Sequence, residues 1–285
     1  MPLNTESDYR RLDLLYRLAV RTKLYRQFKT LRGLYRTYLV ASRHAPYDSS
    51  PDGAVPPSSW WDRYYGAVPV SDAATIEPGK EDLATRYHYN SVENLILAHL
   101  VNTGRHLAGA RVLDVGSGAG HWLRFYRELG AETLTGIELS EPASRHLGNA
   151  FAADSAVEII QGDVASISYS EQFDVVNAIG VIFHIVDDGR FRATVEALCR
   201  ALAPDGLLFV GGHFGLIGNL NVQFDADGRV NKRLRSRRQW QRLLKGLEGV
   251  RVYRNRAYRR IHATLPENHV LVARKPRAIG EPQAK

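Results

Sequence analysis

The sequence predicts an α/β protein: a doubly wound, mostly parallel sheet preceded by an α-helical N-terminal extension. Three observations carry that expectation. From Ala110 onward short β-branched runs alternate with helical ones, as "ARVLDVG", "HWLRFYRELG", "TLTGIEL", "EPASRHLGNAFA", "VEIIQGD", "FDVVNAIGVIF", "DGRFRATVEALCRALAP" and "GLLFVGG". Parallel strands need crossover helices and are buried on both faces, so apolar runs separated by amphipathic segments point to this class. The first run ends in Gly116, Gly118 and Gly120, directly before a helical segment. Finally, Tyr9 to Ala41 repeats apolar and aromatic residues at helical spacing, with Arg and Lys between them.

A chain of 285 residues with 44% hydrophobic and 24% charged residues suits one large domain with an appendage. Lys and Arg number 38 against 30 Asp and Glu, a formal charge of +8, so an anionic partner is admissible. The excess lies in Arg10 to Arg43 and Lys232 to Arg260. Cys199 is the only cysteine, which excludes an intramolecular disulfide and a Cys-rich zinc site and suits a reducing compartment. The opening "MPLNTESDYRR" lacks the apolar core of a secretory signal, and a run of about 18 apolar residues is missing throughout. The expected location is cytoplasmic, with peripheral contact at the inner membrane face left open.

Four segments follow. Residues 1–45 read as a basic amphipathic helical extension. It could lie on an anionic membrane or grip RNA; the plainer reading is a helix that caps the main domain and turns its charges to water. Residues 46–84 are Pro/Ser-rich and read as a covering loop or linker, whose Trp60, Trp61, Tyr64 and Tyr65 are apolar enough to fold back over something. Residues 85–278 form the main domain, and 279–285 a disordered tail. The main domain opens with "RYHYNSVENLILAHLVNTG", a helix with Asn90 or Ser91 as N-cap and Gly104 near its stop. Tyr87 and His88 stand before that cap, either covering a ligand or acting as a hydrophobic staple.

The sharpest local signal is "VLDVGSGAGHW", Val112 to Trp122. Glycines at a strand end let the backbone turn tightly and let a ligand approach main-chain N–H groups. Glu138, closing the next strand in "LTGIELS", stands where a doubly wound fold presents an acid to ribose hydroxyls. Nicotinamide-dependent enzymes use G-x-G-x-x-G. Here the third glycine falls one residue earlier, and His121 takes its place.

That G-x-G-x-G spacing, with Asp114 inside the strand, resembles class I S-adenosylmethionine-dependent methyltransferases. "EIIQGDV", "FDVVNAIGVIFHIVDD" and "LCRALAPDGLLFVGG" extend the resemblance over roughly residues 85 to 275. It implies a Rossmann-like sheet of seven strands with the last antiparallel, completed by the helix "SRRQWQRLLKGL" and the strands "RVYRNRAYRRI" and "NHVLVARKP". It also implies S-adenosyl-L-methionine as cofactor and S-adenosyl-L-homocysteine as product. Asp114 would then sit near the methionine amino group, with Gly116, Ser117, Gly118 and Gly120 around the amino-acid portion. Glu138 would accept the ribose hydroxyls, Leu139 and Val164 would sandwich the adenine, and Asp163 would take its amino group. Ala178 and Ile179 would pass the methionine chain toward the substrate.

Methyl transfer from a sulfonium is an in-line displacement, so holding nucleophile and methyl in line is the main task and a base is optional. His184 and His213 follow the fourth and fifth strands, where such sheets face their ligands, and each is a candidate proton acceptor or wall. Phe183 and Phe214 beside them are expected to line the substrate site. The stretch from His213 to Leu234 is longer than a plain connection and is expected to help close that pocket. "NAIG" lacks the Asn/Asp-Pro-Pro-aromatic signature of amino-group nucleic-acid methyltransferases, so Asn177 reads as a strand residue. Cys199 reads as core, and Asp187 and Asp188 as a helix start. Metal ligation is not expected. The leading reading is O-methylation of a small molecule or glycan, with the aromatic N-terminal part covering the acceptor. An RNA methyltransferase using the basic ends, a membrane-associated enzyme on a lipid-linked acceptor, and a nicotinamide oxidoreductase are the alternatives.

Overall fold

A computed structural model describes residues 57–76, 82–169, 171–214, 222–224, 230–255 and 268–277. The expected helical extension of residues 1–45 and the tail of residues 279–285 lie outside them. The described residues open with three helices: α1 (Pro57–Ala67), α2 (Asp72–Ile76) and α3 (Asp82–Thr103). Then β1 (Arg111–Val115), α4 (His121–Glu128), β2 (Thr133–Glu138), α5 (Glu141–Ala150), β3 (Val157–Gln161) and β4 (Phe173–Ile179) alternate as the sequence predicts. A 3-10 turn at Ile182–His184 leads to α6 (Asp188–Ala201) and β5 (Leu202–His213). The remainder is β6 (Val222–Phe224), β7 (Val230–Arg233), α7 (Arg237–Leu243), β8 (Glu248–Tyr253) and β9 (Asn268–Arg274).

Among the described residues seven strands form one sheet in the order β3-β2-β1-β4-β5-β9-β8, and β6 pairs with β7. Within the large sheet β1 to β5 are mutually parallel, and β9 runs antiparallel to both β5 and β8. The order reverses beside β1, between β2 and β4, and such a switch point opens a crevice at the carboxyl ends of the strands. The glycine loop lies there.

Strand alternation divides the core. Val112, Val175, Phe209 and Val272 face one layer, with Val92 and Ile96 of α3 and Trp122, Leu123 and Tyr126 of α4. Their strand neighbours Leu113, Val176, Leu208 and Leu271 face the other, with Val195 and Leu198 of α6 and Trp240 of α7. Successive residues on a strand point to opposite faces, so apolar runs are needed wherever both faces are covered. Leu123 and Leu198 are fully buried, and truncating such a side chain costs about 2–5 kcal/mol.

Two expectations are corrected. Helix α3 begins at Asp82, so Asn90 and Ser91 are interior rather than capping. Ser91 Oγ instead donates to His88 O at 2.7 Å and accepts from Asn255 Nδ2 at 2.8 Å, tying the helix to the end of β8. The segment 46–84, read as loop or linker, contains α1 and α2. Pro57 opens α1, where its fixed φ is pre-set and its missing N–H costs nothing. Trp61, Tyr64 and Tyr65 then meet Ala74 and Ala143, so the aromatic segment does fold back, as a helix seated on α5. Among the described residues, no helix is long and apolar enough to cross a membrane.

Candidate functional site

The site is built around the turn from β1 into α4. Gly116, Gly118 and Gly120 have φ of 73°, 54° and 86°, a region that side chains with a Cβ enter only with strain. A Cβ on Gly116 would meet Val181 Cγ2 at 2.3 Å, and one on Gly118 would meet Thr75 Cγ2 at 2.6 Å. The loop is thus approached from two sides, by the turn after β4 and by α2. Its amides are used internally: Gly116 and Ser117 donate to Ile137 O, Gly120 donates to Ser117 O, and Gly118 donates to Glu138 Oε2 at 2.9 Å.

Asp114 is fully buried one turn below. Its Oδ1 accepts from Asn177 Nδ2 at 2.7 Å, and Tyr126 donates in turn to Asn177 Oδ1 at 3.1 Å. Asn177, expected to be an ordinary strand residue, therefore orients the acid. Asp114 Oδ2 has no partner among the described residues. Burial pushes this carboxyl up to about 6, against the hydrogen bonds from Asn177 and Ser117. A buried acceptor left open in this way suits an ammonium group.

Glu138 ends β2 as expected and is buried. Its Oε1 accepts from Ser140 N at 2.9 Å while Oε2 accepts from Gly118. Burial raises its carboxyl, opposed by the amides of Ser140, Gly118 and Leu139. Two amide bonds leave lone pairs over on a carboxylate, so it retains capacity for hydroxyl donors. Leu139 is partly buried beside it, and Val164 is buried.

Other candidates stand differently. Asp163 Oδ1 caps the 3-10 turn Val164–Ser166, and its Oδ2 accepts from Arg190 at 2.6 Å, so this acid is already paired. Ala178 and Ile179 are buried in the two core layers, where their side chains pack rather than face open space. Tyr87 and His88 are mid-helix on α3 and partly buried. Phe183 and Phe214 line a cleft at the ends of β4 and β5. His213 is held in β5 opposite Asn268 on β9. His184 lies edge-on to Trp61 with ring centroids 5.0 Å apart, and 4.5 Å from Phe183. Asp187 and Asp188 open α6 as expected, Asp187 Oδ1 accepting from Arg190 N at 2.7 Å. Burial pushes the Cys199 thiol up to about 11, which fits its reading as a core residue.

A polar cluster outside the expected set surrounds His121. Its Nε2 is 2.7 Å from Glu93 Oε1 and its Nδ1 3.4 Å from Asp72 Oδ2, while Arg124 donates to Asp72 at 3.1 Å. Tyr89 stacks on the His121 ring at 3.5 Å and hydrogen-bonds Thr75 at 2.7 Å. Three helices are thereby fastened to the glycine loop. His121 standing where a third glycine was sought was the one signal in the sequence. Among the described residues, no group of three or more His, Cys, Asp or Glu is arranged to hold a metal ion.

Comparison with known proteins agrees with this geometry. Residues 112–206 match the family model described as a methyltransferase domain. A protein arginine N-methyltransferase of Arabidopsis thaliana is 31% identical over 106 residues, 36% of this chain and 28% of that one. A ubiquinone biosynthesis O-methyltransferase of Bradyrhizobium diazoefficiens is 31% identical over 156 residues, 54% of this chain and 56% of its own length. The chain thus spans about a quarter to a half of these two curated relatives. Among solved structures, the 1,6-didemethyltoxoflavin-N1-methyltransferase of Burkholderia thailandensis, with bound 1,6-didemethyltoxoflavin and S-adenosylhomocysteine, aligns with a TM-score of 0.59. The alignment covers 82% of this chain and 93% of that one at 20% identity, a likeness of fold. Residues 112–206 thus match a methyltransferase domain, and the fold is shared with solved S-adenosylmethionine-dependent methyltransferases.

Proposed function

We propose that the chain binds S-adenosyl-L-methionine at the β1–α4 turn and methylates a small-molecule acceptor on oxygen. The observation that carries this reading is the left-handed three-glycine turn between Asp114, with its open buried oxygen, and Glu138. Asp114 would hold the ammonium group, Glu138 the ribose hydroxyls and Leu139 one adenine face. Asp163 fits its assigned role less well, since Arg190 already occupies one of its oxygens. When bound, the cofactor supplies a methyl group on a sulfonium, whose departure leaves a neutral thioether.

The chain's residues do the positioning. Asn177 and Tyr126 fix the Asp114 carboxylate, and such a preset acceptor needs no reorganisation on binding. Val181 packs on Gly116, so the turn after β4 brings His184 and Phe183 beside the cofactor loop. His184, flanked by Trp61 and Phe183, acts as a wall that orients the acceptor. The O-methyltransferase relative supports oxygen as the acceptor atom. The bound small molecule in the Burkholderia structure supports a small acceptor.

Calorimetric titration with S-adenosylhomocysteine tests the cofactor site. Micromolar affinity that falls at least tenfold in Glu138→Ala is the expected result; no affinity, or an unaffected variant, overturns the reading.

A further inference from the structure

Helix α1 lies ahead of the matched residues 112–206, yet it reaches the glycine loop. Trp61, Asp62 and Tyr65 stand at i, i+1 and i+4, so one side of the helix carries all three. Trp61 meets His184 of the turn after β4. Asp62 Oδ1 accepts from Glu141 N at 2.8 Å, the first amide of α5, whose own N-cap Ser140 makes no side-chain cap bond. That bond fixes α1 beside Glu138, because the adjoining amide of Ser140 donates to Glu138 Oε1.

Tyr65 is thereby held over the loop. It is 8% exposed, with its ring stacked on Trp61 at 5.8 Å and edge-on to Tyr64 at 5.0 Å. Its hydroxyl lies 3.8 Å from where a Cβ on Gly118 would stand, and Gly118 N donates to Glu138 Oε2. Burial and the charge of Glu138 both push the phenol up, so it keeps its proton. The neighbouring phenols are satisfied: Tyr64 donates to Ala74 O at 2.7 Å, and Tyr89 shares a hydrogen bond with Thr75. The Tyr65 hydroxyl makes none among the described residues. A phenol set so deep ordinarily has a partner.

We propose that Tyr65 is a cofactor-binding residue, its hydroxyl donating to a ribose hydroxyl that itself donates to Glu138. This deepens the cofactor reading and rests on it. A ribose hydroxyl has one proton to give and lone pairs to receive another, whereas an ionised carboxylate can only accept. Glu138 therefore satisfies one half of that group, and a protonated phenol supplies the other. The acceptor comes from β2 of the sheet and the donor from α1, so the helix is a working wall of the nucleoside site.

The test is calorimetry on wild type and Tyr65→Phe with S-adenosylhomocysteine and its 2′-deoxy and 3′-deoxy analogues, beside melting curves of the two free proteins. Phe keeps the ring and removes an oxygen that no described residue bonds, so the melting temperatures should agree. Tyr65→Phe should bind S-adenosylhomocysteine about tenfold more weakly, the loss of one hydrogen bond. With the analogue lacking the contacted hydroxyl the two proteins should bind equally, whereas a merely structural tyrosine would weaken all three ligands alike. Equal affinity of the two proteins for S-adenosylhomocysteine, the same loss with all three ligands, or a lower melting temperature of the free variant overturns the proposal. Wild type that binds none of the three overturns the cofactor reading as well, so the two failures are told apart.

Discussion

His121 Nε2 lies 2.7 Å from Glu93 Oε1, joining the first residue of α4 to the middle of α3. Burial lowers the imidazole, but the hydrogen bonds and charges of Asp72 and Glu93 outweigh it, so His121 holds its proton above the usual histidine range. A raised histidine contributes stability that is complete below the unfolded value and is lost as pH rises through the folded one. Glu93→Gln should therefore cost about 1–2 kcal/mol at pH 6 and much less at pH 9. Denaturant midpoints at the two pH values check this, equal losses counting against it.

Asp114 gives a second pH dependence of opposite origin. Its carboxyl is raised to about 6, so the folded chain takes up a proton more readily than the unfolded one. This group's stabilising contribution is present below the unfolded value near 4 and fades as pH rises through about 6. On the proposed reading an ammonium group is held by the ionised form, so affinity for S-adenosylhomocysteine should weaken as pH falls below 6. Asp114→Asn should flatten that dependence and lower affinity at pH 7.5 by at least tenfold. Calorimetry across the pH series reads both.

Gly118 combines a φ of 54° with a close approach to Thr75. Gly118→Ala should lose about 1–2 kcal/mol from the left-handed backbone alone, and more from the clash. Adding Thr75→Ser removes the clashing methyl but not the strain. Thermal melts should show partial recovery in the double variant; full recovery or none would contradict this division.

His184 packs against Trp61 and Phe183. If it is a wall, His184→Ala should keep turnover within about tenfold of wild type, since a lost general base costs about 10²–10⁴-fold. Its pH–rate profile should keep its acidic limb, the one that protonation of a general base would set. Initial rates from pH 5.5 to 9 decide between the two roles.

The sheet and the glycine loop were legible because their signals are local. Apolar strands, β-branched runs and three clustered glycines need no distant partner to be recognised. Asn90 and Ser91 look like caps, but α3 starts eight residues before Asn90, at Asp82, and its opening turns are held by Thr85 and Tyr89, both buried. Helix α1 was hidden by its Pro and Ser, although Pro57 ahead of Trp61, Tyr64 and Tyr65 at helical spacing was a readable start. Asp163 looked open to adenine because its partner Arg190 is 27 residues away. Arg233 and Arg235 read as part of a basic run for the same reason, since Asp188 meets them from 45 and 47 residues upstream.

Val181 on Gly116 and Thr75 on Gly118 roof the loop from opposite sides. On the proposed reading, the amino-acid end of the cofactor displaces one of these side chains on arrival, and the spent product displaces it again to escape. The expected outcome of that reading is slow departure, and turnover measured in solutions of rising viscosity checks it, an unchanged rate counting against it.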